Sequence, residues 1–137
     1  MELSFPIEFL VHGTAVSFQA KRPESRAEWK ERVKDASRTA IPQPHFASNS
    51  PISVTLYYLP AAPLQGDLDN IVKPILDALS RHIYLDDHQV ERLVVQKFEP
   101  GLAFTFLNPS TTFASALGAE RPVLYVRISD KPMEEHQ

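Results

Sequence analysis

The run LDNIVKPILDAL, residues 68–79, contains the proline that most constrains this chain. Leu68, Ile71, Val72, Ile75, Leu76 and Leu79 recur at i, i+3, i+4, i+7, i+8 and i+11, the stripe a helix buries against a core. Pro74 lies inside that stripe. A proline lacks the amide proton and clashes with the carbonyl four residues earlier, so it is tolerated cheaply only in a first turn. The helix therefore either starts at 70–73 or bends at Pro74. A start there leaves 67–70 as an extended or irregular entry, in which Asp67 and Asp69 can point the same way. In a regular helix the two would diverge by about 200°.

The other elements follow from local pattern. Residues 5–12, FPIEFLVH, read as a strand ended by Gly13, and residues 52–59, ISVTLYYL, form the clearest strand in the chain, closed by Pro60 and Pro63. Between them a helix is expected over 26–40, started by the capping-box pair Ser25 and Glu28 after Pro23 and stopped near Pro42. Its apolar seam is Trp29, Val33, Ala36 and Ala40, which makes Trp29 a core residue rather than a base-stacking platform. Strands are expected over 90–98 and 122–128, with a short helix, TTFASAL, capped by Ser110 and stopped at Gly118.

The order β, α, β, α, β, α, β predicts an α/β (α+β) fold: a small mixed sheet with two or three packed helices. At 137 residues one domain is expected, its core over about 5–129 and a frayed tail over 130–137. No cysteine occurs, which removes disulfides, thiolate zinc sites and a cysteine nucleophile. No apolar run approaches the roughly 20 residues of a membrane span, and the first residues carry no export signal, so a cytoplasmic protein is expected.

Acids crowd the front of the proline-bearing helix. Asp67, Asp69 and Asn70 precede it, Lys73 follows one turn later, and Asp86 and Asp87 arrive soon after the helix ends. Any one of these acids alone reads as a cap or a solvated loop residue. Two groups of carboxylates point instead to a hard divalent cation such as Mg²⁺ or Mn²⁺, which takes oxygen ligands. Asp86 and Asp87 are neighbours, so one faces the first group and the other serves the turn. Lys73 reads locally as a surface ion pair with Asp77 or Asp69.

The net charge of -3 gives the molecule no overall attraction for a polyanion, but its cations are unevenly placed. Seven of the 14 Lys and Arg fall within 21–38, against four acids there. Arg26, Lys30, Lys34 and Arg38 step by four residues into a stripe along one helix, with Lys21 and Arg22 just upstream. Such a stripe is either a solvated charged face or a phosphate-tracking surface. The five histidines form no ligand set, and neither a glycine-rich phosphate loop nor a GxSxG elbow is present.

DLDNIVKPILDAL followed by IYLDDHQV resembles the motif of the RusA family of Holliday junction resolvases. The order is an acid, one spacer, Asp-Asn, a lysine three past that Asn, an LDAL-like helix end, a hydrophobic pair and Asp-Asp. HGTAVSFQAKRP and VERLVVQKFEP extend the likeness more thinly over most of 5–129. The resemblance implies a homodimeric endodeoxyribonuclease that resolves four-way DNA junctions in recombination and repair, using Mg²⁺ or Mn²⁺. By position it makes Asp67, Asp69 and Asp87 the metal-binding carboxylates and Lys73 the catalytic lysine. Asn70, Asp77, Asp86 and His88 occupy positions in or beside the motif without an assigned role. The acidic chain departs from the basic character usual in members that act on DNA. The competing readings are a non-catalytic DNA- or partner-binding dimer and, less in keeping with the chain's size, a nucleotide-diphosphate site.

Overall fold

A computed structural model describes residues 1–17, 22–64, 66–102 and 104–133. The elements run β1 (Ile7–His12), α1 (Pro23–Ser37), β2 (Ile52–Leu59), α2 (Val72–Leu79), β3 (Val90–Lys97), α3 (Thr111–Gly118) and β4 (Val123–Ser129). Short 3-10 turns at Leu68–Ile71 and Asp87–Gln89 lead into α2 and β3. The sheet order is β1-β4-β2-β3. β4 pairs antiparallel with β1 and β2, while β2 and β3 run parallel, so the sheet is mixed as expected.

The period-2 alternation of the strands divides the core between two faces. Ile7, Phe9, Val11, Val54, Leu56, Leu124, Val126 and Ile128 face α1 and α2 and pack against Trp29, Val33, Ile75 and Leu79. The opposite face carries Leu59, Phe98, Val123 and Tyr125, closed by Phe113 and Ala116 of α3. That second layer is largely aromatic, with Tyr57, Phe98, Phe113 and Tyr125 in edge, tilted and stacked contacts. No helix among the described residues is long and apolar enough to cross a membrane.

Helix α1 departs from expectation. It begins at Pro23 rather than near 26 and ends at Ser37, and Arg22 is its N-cap with no side-chain cap bond, so the Ser25/Glu28 box does not form. Pro23 decides this, because its fixed φ and missing amide proton suit the first helical position. The seam shifts with the ends: Ala40 is exposed and Ser37 is buried. The Ser37 hydroxyl lies 2.6 Å from the Lys34 carbonyl and 2.7 Å from His82 Nε2, which makes a buried polar group affordable there.

Candidate active site

The proline sets the geometry at the front of α2. Pro74 falls in the first turn of the α-helix, and the preceding residues form a separate 3-10 turn whose N-cap, Asp67, is extended. The irregular entry is therefore present, but as a tight turn. Asp67 is the extended residue before that turn and Asp69 lies within it, so the two do not share one extended run. Both are exposed.

The second acidic segment is built more firmly. Asp86 caps the 3-10 turn by accepting the His88 amide at 3.3 Å, and Gln89 closes a reciprocal capping box. Gln89 Oε1 accepts the amides of Leu85 and Asp86 at 2.8 and 2.9 Å, while its Nε2 donates to the carbonyls of Ser48 and Ser50, both at 2.8 Å. A buried amide with all these partners satisfied is a rigid clamp. It fixes the turn that carries Asp87 to the strand entry at 48–50. Asp86 is thus the turn residue of the pair, and its carboxyl is held below the usual range first by the His88 amide and then by the His88 ring.

Asp87 faces the other way. Its Oδ1 lies 3.2 Å from the Tyr84 hydroxyl, which also lies 3.0 Å from the Leu76 carbonyl, and its Oδ2 accepts from Lys73 Nζ at 3.2 Å. Burial, followed by the nearby Asp87 charge, pushes the Tyr84 phenol far up, so it stays a proton donor. Lys73 also pairs with Asp77 at 2.8 Å, and Asp77 reaches Lys30 of α1 at 3.7 Å. The local ion pair and the reach to Asp87 coexist. Hydrogen bonds donated to Asp77, then to Asp87, hold the Lys73 ammonium above its ordinary range, so it is a fixed positive charge at neutral pH.

The structure thus brings together Lys73, Asp77 and Asp87, with Lys30 and Tyr84 alongside. It does not bring the three predicted carboxylates to one point: among the described residues no group of three acidic or imidazole side chains is placed to hold a metal ion. As arranged in one chain, Asp67, Asp69 and Asp87 do not make a cation cage. Gln89 and Tyr84 escaped the sequence reading, although the spacing D-x-x-Q at 86–89 carries the capping-box signal.

The basic stripe is partly consumed by internal pairs. Arg38 is held by Asp35 and lies 3.8 Å from Glu31, and Lys30 shares Asp77. Lys34 has no acidic partner within ion-pair distance among the described residues. Arg22 is exposed at the start of α1, and Lys21 lies outside the described residues. Trp29 is buried as expected, with its Nε1 unpartnered.

No curated protein matches the chain. The family model described as endodeoxyribonuclease RusA matches residues 11–104, a span that includes the DLDN run, Lys73, Asp77 and the Asp86-Asp87 turn. Nucleases of that family act on branched DNA junctions and generally depend on a divalent metal. With more than half of its length matched, including every residue of the candidate site, the chain belongs to the RusA endodeoxyribonuclease family.

Proposed function

We propose that the protein is a metal-dependent endonuclease that cuts four-way DNA junctions by phosphodiester hydrolysis, as a homodimer, in recombination and repair. The observation that carries this reading is the approach of Lys73 to Asp87 from two separate parts of the family motif, 3.2 Å apart. A lysine ammonium oriented by two carboxylates and half exposed is a point charge that a phosphate oxygen can reach by replacing one of them. Placed against a scissile phosphate, it stabilises the negative charge that builds on the oxygens in the transition state. Asp77 and Asp87 position that ammonium, and the Gln89 clamp positions Asp87.

Mg²⁺ or Mn²⁺, with Asp67, Asp69 and Asp87 as candidate ligands, belongs to this reading through the family. No step is assigned to the ion, because the three carboxylates do not converge in the single chain. Arg22, Lys34 and the rest of the α1 stripe are the candidate DNA-tracking surface.

The test is cleavage of a labelled four-way junction by the full chain. Cutting is expected with Mg²⁺ or Mn²⁺, is expected to stop on chelation, and should fall about 100-fold or more in Lys73→Ala while junction binding largely persists. Asp69→Asn should likewise bind without cutting. Binding without cleavage by the parent chain under every divalent ion would leave the non-catalytic binding dimer in its place.

A further inference from the structure

Phe46 stands 71% exposed on segment 45–50, whose backbone is fastened from several sides. The Phe46 amide donates to the Met1 carbonyl at 3.0 Å and the Ser48 amide to the Ile83 carbonyl at 2.8 Å, while Gln89 Nε2 holds the carbonyls of Ser48 and Ser50. His45 Nε2 also lies 2.8 Å from the His82 carbonyl. A ring shown to solvent on so fixed a backbone loses little freedom when a partner covers it. Single exposed apolar residues are common and need no explanation, but Phe46 has company. It lines an open pocket of about 460 Å³ with Leu3, Leu85, Asn49, Glu2 and Asp130. Leu85 is 52% exposed. The volume falls within the range of small-molecule sites, about 300–1,000 Å³.

The pocket and the candidate active site share a support. Leu85 comes two residues before Asp87, and the Gln89 amide that clamps the Asp87 turn through Leu85 and Asp86 also holds Ser48 and Ser50 of the pocket wall. The lining decides what can enter. Glu2 and Asp130 repel a phosphate, and no described lysine or arginine lines the pocket to offset them. The same carboxylates accept hydrogen bonds from an exocyclic amino group, and Asn49 can both donate and accept. With Phe46 for stacking and Leu3 and Leu85 for apolar contact, these are the groups that hold a base taken out of its stack.

We propose that this pocket takes one unstacked base of the substrate DNA, an adenine, cytosine or guanine, stacked on Phe46 with its amino edge toward Glu2, Asn49 and Asp130. This rests on the junction-cutting reading above and adds to it a residue that selects where the cut falls. The base comes from a nucleotide close to the phosphate at Lys73, because one clamp supports both places. Unstacking costs least where the duplex is already interrupted, as at the exchange point of a four-way junction. Thymine carries no amino group and is the base this pocket accepts least.

An abasic scan tests the pocket. Junction binding is followed by fluorescence anisotropy in the full-length Asp69→Asn chain, expected to bind without cutting, as each nucleotide around the exchange point is made abasic in turn. Stacking of a base on an aromatic side chain is worth roughly 5- to 150-fold in affinity. One position per cut strand is expected to lose about that much when abasic, and thymine there should bind more weakly than adenine, cytosine or guanine. Adding Phe46→Ala should make binding indifferent to the base at that position, with an unchanged far-UV circular dichroism spectrum, and adding Phe46→Trp should restore the pattern. Abasic scans that are the same with and without Phe46, or a thymine held as tightly as the other bases, overturn the inference and leave the nuclease reading standing. A Phe46-dependent position in a protein that binds junctions and cuts none keeps the pocket and removes the catalytic reading. A chain that binds no junction removes both.

Discussion

Lys73 and Asp87 lie fourteen positions apart in the chain and 3.2 Å apart in the fold, one on the exposed flank of α2 and the other in a turn clamped by Gln89. Both side chains are about half exposed, at 49% and 38%. An ion pair that open is worth about 1 kcal/mol or less to stability. Its worth to catalysis is set by where the charge sits, so the two quantities should separate. Asp87→Asn is expected to lower junction cleavage about 100-fold or more and to shift the urea midpoint only slightly. A variant that cuts like the parent would remove Asp87 from the machinery.

The clamp makes a different prediction. Gln89 holds the Asp87 turn through four hydrogen bonds, and its amide is buried. Gln89→Ala strands two backbone amides and two carbonyls, which costs about 2–4 kcal/mol in thermal or urea unfolding. Gln89→Glu keeps the acceptor oxygens but loses both donated bonds to Ser48 and Ser50. Because its second oxygen then faces the two carbonyls in a buried site, it should destabilise at least as much as the alanine variant and still reduce cleavage.

What the sequence revealed and what it hid divide along a physical line. Strand β2 spans 52–59 in both readings, and Ser110 caps α3 by accepting the Phe113 amide, because β-branched runs and N-caps are local signals. Pro74 located the start of α2 for the same reason. The errors arose where local signals competed or contacts were distant. Pro23 displaced the Ser25 cap from α1, and Ser37 took a core position because His82, 45 residues away, could bond its hydroxyl. The meeting of Lys73 with Asp87 was legible through the family motif alone, since no periodicity relates a helix residue to a turn beyond the helix. The 3-10 form of the Leu68–Ile71 entry had no signal beyond the proline that follows it.

His82 gives the fold a measurable pH dependence. Its ring bonds Ser37 and packs edge-on against His45 at 5.1 Å. Burial, then the charges of His45, Arg38 and Lys34, lower its pKa to about 4. An unfolded histidine titrates near 6.5, so between about 6.5 and 4 the unfolded chain binds the extra proton and the folded one does not. The contribution is therefore fully present above pH 6.5 and is lost as the pH falls toward 4. For a half-buried ring the loss is about 1–2 kcal/mol after screening. His82→Gln should flatten the stability profile in that window relative to the parent, and an unchanged slope would place the acid sensitivity elsewhere.

Helix α3 is tied to the sheet through one carboxylate. Glu8 accepts from the hydroxyls of Ser110 and Tyr125, and Ser110 in turn accepts the Phe113 amide at 3.1 Å. Ser110→Ala removes a cap and one of those bonds together and should cost about 1–2 kcal/mol. Glu8→Gln weakens the same node, so the double variant should lose less than the two single losses combined, with a coupling of about 0.5 kcal/mol or more. Additive losses in a double-mutant cycle would mean that the two side chains act independently.

The α1 stripe divides into cations that are held and cations that are not, and salt dependence can tell them apart. Arg38 is engaged by Asp35 and Glu31, whereas Lys34, one turn earlier, has no acidic partner among the described residues. Each phosphate neutralised on duplex DNA contributes about 0.9 to the slope of log affinity against log salt. In a chain of net charge -3 the contacts that hold DNA must be local, so losing one should be visible. Junction binding followed by fluorescence anisotropy from 50 to 200 mM salt, with Asp69→Asn as the uncut parent, is expected to lose about one unit of slope in Lys34→Ala. Arg38→Ala should lose clearly less, because its guanidinium is already neutralised on the helix. Equal slopes in the parent and both variants would turn the stripe back into a solvated face and move the DNA-tracking surface off α1.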